Sequence, residues 1–157
     1  MNIKIDLLKN HPESIPRLAE IWYEVLGKIW MPEITIESVA SKRYSELLNE
    51  NVLPITYIAL NGATPLGMCS LRQNDGIRPD LTPWLGSLVV DHLHQKQGIG
   101  KMLIDTTKNK ARDLGYAKLF LFAFDRTIHI YYGRLGWNKI GIDEFNGYPV
   151  TVMEISL

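Results

Sequence analysis

The chain has 157 residues, 46% apolar and 22% charged, a composition suited to a water-soluble fold with one core and one domain, spanning residues 1–157. Seventeen basic residues balance seventeen acidic ones, so no net field argues for nucleic acid or an anionic membrane as the main partner. The lone cysteine, Cys69, excludes an internal disulfide and a thiolate metal site.

The N-terminal stretch from Met1 to Lys9 alternates polar and apolar residues and has no leader-like apolar region; with no bilayer-length apolar run, the expected location is the reducing cytoplasm. Ile3, Ile5 and Leu7 predict a half-buried strand. Ser14 is placed to cap a helix with Pro16 in its first turn and Leu18, Trp22, Val25, Leu26 and Ile29 as its apolar stripe. Pro32 breaks the chain, and Thr35 is placed to cap a second helix with Val39, Leu47 and Leu48 inward. Ile55 to Leu60 and Leu66 to Arg72 read as a hairpin around Asn61-Gly62. The polar stretch from Asn74 to Pro83 is a loop. Leu85 to Asp91 comes next, with Leu88, Val89 and Val90 apolar in succession, as in a strand covered on both faces.

A helix is expected from near Gly98, with Ile99, Met102, Leu103, Thr106, Ala111 and Leu114 along one side and Gly115 just past its end. Lys118 to Phe124 is an aromatic-rich central strand. Thr127 to Leu135 is a short helix closed by Gly136. Trp137 to Ile142 and Val150 to Ser156 are the last strands, joined through Asn146-Gly147. The order β-α-α-β-β-β-α-β-α-β-β predicts a mixed α/β (α+β) fold: a central, mostly antiparallel sheet with helices on both faces and one right-handed parallel crossover from Leu85 to Phe124.

Gly98 and Gly100 open the helix after a tight turn. Helix N-termini present unpaired N–H groups and positive potential, and glycine admits φ > 0 and close approach, so a pyrophosphate-bearing ligand is the first expectation. It is not a P-loop: Gly100-Lys101 is followed by Met102, and Gln95 stands where the first glycine belongs. It is not a dinucleotide fingerprint either, because Leu103 occupies the third small position. His92 and His94 have no third ligand nearby, so no metal is expected.

Gln95-Lys96-Gln97-Gly98-Ile99-Gly100 resembles the Arg/Gln-x-x-Gly-x-Gly/Ala signature of the GNAT superfamily of N-acetyltransferases, and Tyr131-Tyr132-Gly133-Arg134-Leu135-Gly136-Trp137 resembles its second signature, a Tyr followed by three residues, then Gly and Phe/Trp. The element order is similar over essentially the whole chain. Leu53-Pro54, Thr82-Pro83-Trp84-Leu85 and Val150-Thr151-Val152-Met153 narrow the likeness to a bacterial branch of undefined substrate. Gln95 replaces the commoner Arg, Asp125 stands where Asn is usual, and Ile128 replaces a small Ala.

The resemblance implies splayed fourth and fifth strands and acetyl-CoA as cofactor. It places the pyrophosphate on the amides around Gln97, Gly98, Ile99, Gly100 and Lys101, with Gln95, Lys96 and Asp125 beside the cofactor and the pantetheine arm along Leu88, Val89 and Val90. Those three residues serve equally as core strand; side chains pack while backbone binds. Tyr132 would be the general acid, a role that suits a neutral phenol of pKa ~10 facing a thiol of ~8.5, and Tyr131 would be the tyrosine packed inward. No Glu or Asp lies on the fourth strand, where many relatives carry a base; Ser87 is its polar side chain. Asp75 and Asp80 in the preceding loop, and Glu33 between the first helices, are placed to reach the acceptor mouth, with Trp30 and Met31 on its wall. The implied activity is acetyl transfer to a small-molecule primary amine by direct attack in a ternary complex, with Cys69 buried. The alternatives are a non-catalytic CoA-binding module of the same fold and acetylation of a peptide N-terminus or lysine. Homodimers are among the assemblies the resemblance implies.

Overall fold

A computed structural model describes residues 1–45, 49–124 and 126–157, with side chains outside 43–45 and 126–127. Leu47, Leu48 and Asp125 lie outside the described residues. The expected element order is the observed one. β1 (Ile3–Leu7), β2 (Ile55–Asn61), β3 (Thr64–Arg72) and β4 (Trp84–Val90) form an antiparallel meander. β5 (Lys118–Ala123) runs parallel to β4, and β7 (Tyr148–Ser156) pairs antiparallel with β5 on one side and with β6 (Asn138–Phe145) on the other. The sheet order is β1-β2-β3-β4-β5-β7-β6.

Helices cover both faces. α1 (Ile15–Trp22) and α2 (Ile36–Ser45) bury Leu18, Trp22 and Val39 against Ile58, Leu60, Met68 and Val89. On the opposite face, α3 (Ile99–Asp113) and α4 (Arg126–Arg134) close a core that includes Cys69, Leu71, Leu121, Tyr132, Trp137 and Met153. Each fully buried Leu or Ile side chain contributes about 1.5–3 kcal/mol relative to exposure. α3 is phased one step away from the expected stripe: Ile99, Leu103, Ile104, Thr107 and Ala111 point inward, while Met102 is exposed and Thr106 half-buried. The buried Thr107 hydroxyl donates to the Leu103 carbonyl, which satisfies it within its own helix.

α1 continues into a π turn at Tyr23–Gly27 and a last helical turn at Lys28–Trp30. The wider turn rotates the residues after it, so Ile29 leaves the apolar stripe and is 51% exposed, while Trp30 is half-buried. Ser14 stands at the N-cap position of α1, but its buried hydroxyl makes no capping bond. Thr35 does cap α2, its Oγ1 accepting from the Ser38 amide at 3.1 Å. The first hairpin loop is Gly62–Ala63, one residue later than expected, because Asn61 still pairs with Thr64. The last hairpin turns at Asn146 (φ 53) and Gly147 (φ 83), and its strands run to Phe145 and from Tyr148, longer than the apolar runs alone suggested.

β4 and β5 meet at one register pair, Trp84↔Phe120, with the Phe120 amide donating to the Pro83 carbonyl at 3.0 Å; the two strands share no other pair among the described residues. The cause lies in β4. Ser70 faces Gly86 and Met68 faces Val89, so Ser87 and Leu88 together oppose Cys69. Ser87 takes φ 54, the left-handed region, and this bulge bends the strand. β3 holds the bent strand closely: a Cβ added at Gly67 would run into the Val89 carbonyl oxygen.

Candidate active site

Where β4 and β5 part, a cleft of about 360 Å³ opens, floored by Leu85 to Leu88 and by Leu121 to Phe124. α1 with its continuation supplies Trp22, Leu26, Trp30 and Met31, α2 supplies Lys42, and the β3–β4 loop supplies Asn74, Asp75 and Gly76.

At the C-terminal end of β4, the Gln95 side chain donates to the Val90 carbonyl at 3.0 Å and ties the adjoining loop to the strand. Asp91 fastens the same corner through Arg17 (2.9 Å) and by accepting the Leu93 amide. Lys96 (φ 62) and Gly98 (φ 83) then take left-handed backbone, and α3 begins, its first internal bond running from the Met102 amide to the Gly98 carbonyl. The amides of Ile99, Gly100 and Lys101 therefore have no partner within the helix. A Cβ at Gly98 would meet nothing within 4 Å, so it is the backbone angle there, not crowding, that calls for glycine. At Gly100 the nearest neighbours of an added Cβ are the Tyr131 hydroxyl at 3.8 Å and Val90 Cγ2 at 3.9 Å. Lys101 is paired with Asp105 at 2.6 Å, which raises its pKa.

The inward packing expected of Tyr131 belongs to Tyr132 instead. Tyr132 is the inward one, 8% exposed and on the cleft wall, while Tyr131 is 42% exposed with its hydroxyl beside the first turn of α3. The end of α4 explains this. The Trp137 amide donates to the Tyr132 carbonyl and the Gly136 amide to the Gly133 carbonyl, with Gly136 at φ 96: a Schellman closure. Its accompanying apolar contact is the edge-on pairing of the Tyr132 and Trp137 rings at 6.0 Å. α3 closes the same way, with the Tyr116 amide on the Ala111 carbonyl. Burial pushes the Tyr132 phenol well above its ordinary pKa, with neighbouring Cys69 and Tyr131 adding to the effect. His129, also on α4, is half-buried and its Nδ1 has no partner.

Trp30, Met31 and Ser87 line the cleft. Trp30 stacks on Phe124 at 4.8 Å and 7° and meets Tyr148 edge-on at 5.2 Å; the Asn146 amide fixes its carbonyl at 3.2 Å. Phe122 and Phe145 stack at 5.2 Å. Of this aromatic wall the sequence analysis named Trp30 alone; Phe122, Phe124, Phe145 and Tyr148 were missed because they come from the β5 segment and the last hairpin. Asp80 is not brought to the cleft. It is exposed and held by both Arg78 Nε (3.0 Å) and Nη2 (2.9 Å), which lowers its pKa. Glu33 is exposed and outside the cleft lining, in a shallow depression with Glu144 and Asn146 that shares Met31, Ile34, Gly76 and Phe145 with the cleft. Trp22, Trp84 and Trp137 are buried core residues, as expected. No group of three metal-binding side chains occurs among the described residues, and no helix among them is long and apolar enough to cross a membrane.

The sequence profile of the acetyltransferase (GNAT) family matches residues 16–137. No curated protein matches the chain. Among solved structures, the fold is similar to an aminoglycoside 6'-N-acetyltransferase complexed with coenzyme A (TM-score 0.74, 19% identity, 99% of this chain and 97% of that one). It is similar also to the PaiA N-acetyltransferase of Thermoplasma acidophilum in complex with coenzyme A (0.71, 19%, 100% of each chain). A third similar structure is YncA of Salmonella typhimurium with its cofactor acetyl-CoA (0.77, 15%, 99% and 94%).

Proposed function

Because the chain belongs to the acetyltransferase (GNAT) family, we propose that it moves an acetyl group from acetyl-CoA to the primary amine of a small molecule, by direct attack in a ternary complex. The observation that carries this reading is one arrangement: parted strands β4 and β5, with the amino end of a fifteen-residue helix at one end of the gap and a buried, un-ionised phenol on its wall.

The residues present suit the coenzyme. Its diphosphate fits the unpartnered amides of Ile99, Gly100 and Lys101, where the helix end carries roughly half a positive charge, and the backbone there is open. Gln95, Lys96 and Gln97 shape the loop that presents those amides. The β4 edge at Leu88, Val89 and Val90 offers main-chain groups to the amides of the pantetheine arm. When bound, acetyl-CoA supplies an acyl carbon activated as a thioester.

The acceptor enters along Trp30, Met31 and Ser87 as the neutral amine, having given its extra proton to solvent. Its nitrogen lone pair forms the C–N bond as the C–S bond breaks. Main-chain amides of β4 would stabilise the charge developing on the carbonyl oxygen. Tyr132 donates its proton to the departing sulfur and recovers the one released by the new amide nitrogen, so amine and acetyl-CoA become N-acetylamine and CoA thiol. No enzyme nucleophile is required, and Cys69 stays in the core.

Release of CoA thiol, measured over a panel of primary amines with acetyl-CoA, tests this. The expected result is turnover on at least one small amine, with the N-acetyl product identified by mass. Binding of acetyl-CoA without turnover on any amine would instead support a CoA-binding module, the reading that the absence of acidic residues from β4 favours.

A further inference from the structure

Tyr131 is placed by the same helix end that buries its neighbour. On α4, Ile128 and Tyr132 both line the cleft. Tyr131 follows Ile128 by three residues and so stands at the rim of the same face. It is 42% exposed, and its ring tilts 60° against that of Tyr132 at 5.4 Å. Its hydroxyl reaches across to the amino end of α3. It lies 3.8 Å from where a Cβ of Gly100 would stand, a point that Val90 Cγ2 approaches to 3.9 Å. The end of β4, the first turn of α3 and this hydroxyl therefore face a common space. Among the described residues the hydroxyl has no hydrogen-bond partner. Two other polar side chains at this corner are engaged elsewhere: Asp105, one turn on, holds the Lys101 ammonium, and Gln95 donates to the Val90 carbonyl. Partial burial raises the Tyr131 pKa, so the phenol is protonated at neutral pH and has a proton to donate.

We propose, resting on the acetyl-CoA reading above, that the Tyr131 hydroxyl donates a hydrogen bond to the coenzyme's diphosphate from the side opposite the α3 amides. The neighbouring tyrosines then divide the work: Tyr131 holds the coenzyme, and Tyr132 serves its sulfur. A phosphate oxygen has lone pairs enough for a main-chain amide of one helix and a phenol of another, so the two donors do not compete. Hydrogen bonds to an ionised acceptor are also the stronger ones. The helix end alone offers main-chain groups that any anion can use; the phenol adds a side-chain donor at a fixed place beside them.

Tyr131→Phe keeps the ring and removes only a hydroxyl that bonds to nothing among the described residues, so the variant is expected to fold, as circular dichroism checks. The test titrates acetyl-CoA and acetyl-3′-dephospho-CoA into wild type and variant by calorimetry; the second probe keeps the diphosphate and lacks the 3′-phosphate. The variant is expected to bind both about tenfold more weakly than the wild type does. At saturating acetyl-CoA its kcat on any amine that is turned over should stay within about twofold of wild type. Equal affinity in the two proteins overturns the inference. A loss confined to acetyl-CoA moves the hydroxyl to the 3′-phosphate and overturns it too. So does a fall in kcat of about tenfold or more, which would put the hydroxyl in the chemistry. Should Tyr131→Phe unfold, Tyr131→Leu takes its place, with the same expected and contrary results. Failure of the wild-type protein to bind acetyl-CoA overturns the acyl-transfer reading itself, whereas wild-type binding with an unaltered variant sinks this inference alone.

Discussion

On the proposed mechanism Tyr132 donates a proton, which it can do only while its phenol is un-ionised. Burial raises its pKa above the ordinary value, so through about pH 10 the group remains protonated, and its donor strength is felt most when charge collects on sulfur. Tyr132→Phe keeps the ring against Trp137 and removes the hydroxyl. On the proposed mechanism kcat falls about 10²-fold or more while acetyl-CoA affinity stays within about twofold. The wild-type kcat profile is expected to show no alkaline decline from this group below about pH 10. Steady-state kinetics against pH checks both; an unchanged kcat in the variant removes the acid assignment. The resemblance to the second family signature singled out Tyr132 in the sequence, but not the direction of its side chain. That direction is set by the Schellman closure, which turns Tyr132 toward Trp137 and leaves its neighbour Tyr131 outward. Asp80 and Asp75 posed the opposite problem. Both are loop carboxylates five residues apart, and the difference between an exposed pair with Arg78 and a place on Gly86 is decided by tertiary contacts.

At the scale of elements, the cleft depends on how β4 is bent. Two against one at Ser87-Leu88 opposite Cys69 diverts the strand from β5, and β3 can stay beside it because Gly67 has no side chain. Gly67→Ala would drive a methyl group into the Val89 carbonyl, an obstacle that belongs to backbone and cannot rotate away. We expect a loss of about 1–3 kcal/mol in denaturant unfolding together with weaker acetyl-CoA binding; a variant of wild-type stability and affinity would show that β3 does not hold the bend. None of this is visible in the alternation of apolar residues, which marks where a strand lies and not where it bulges. The same limit explains α3. Its existence and start at Gly98 were legible from the glycines and the 3.6-residue period, but Met102 and Thr106 fit a helical stripe as well as Ile104 and Thr107 do, and the sheet beneath chose the latter. The π turn at Tyr23–Gly27 shifted Ile29 outward for a related reason: an extra residue in a helical turn changes the phase of every later position in the helix.

Over the whole molecule, the element order, the single parallel crossover and the two helical layers arise from periodicity, turn residues and caps, which agree with one another along the chain. The anion-ready helix end was legible too, since it needs only a strand, a short loop and glycines in sequence. The acceptor side was legible only in part: Trp30, Met31, Ser87 and Asp75 were singled out through the resemblance, and the Phe124 and Phe145 rings were not. Trp30, Asp75, Phe124 and Phe145 are far apart in the chain and meet only because the first helical arm and the last hairpin close over the gap between β4 and β5. Local signals describe the half of the cleft built from one contiguous segment; the other half is a product of topology.

The central claim is that main-chain amides at the start of α3 hold the coenzyme's diphosphate. Titration calorimetry of acetyl-CoA into the wild-type protein and into Gly98→Val tests it most directly, because a β-branched residue cannot adopt the φ of 83 found there without strain. The account predicts a saturable binding heat for the wild type and an affinity about tenfold or more lower in a variant that remains folded by circular dichroism. Equal affinity in the two proteins, or no heat with either, would contradict it.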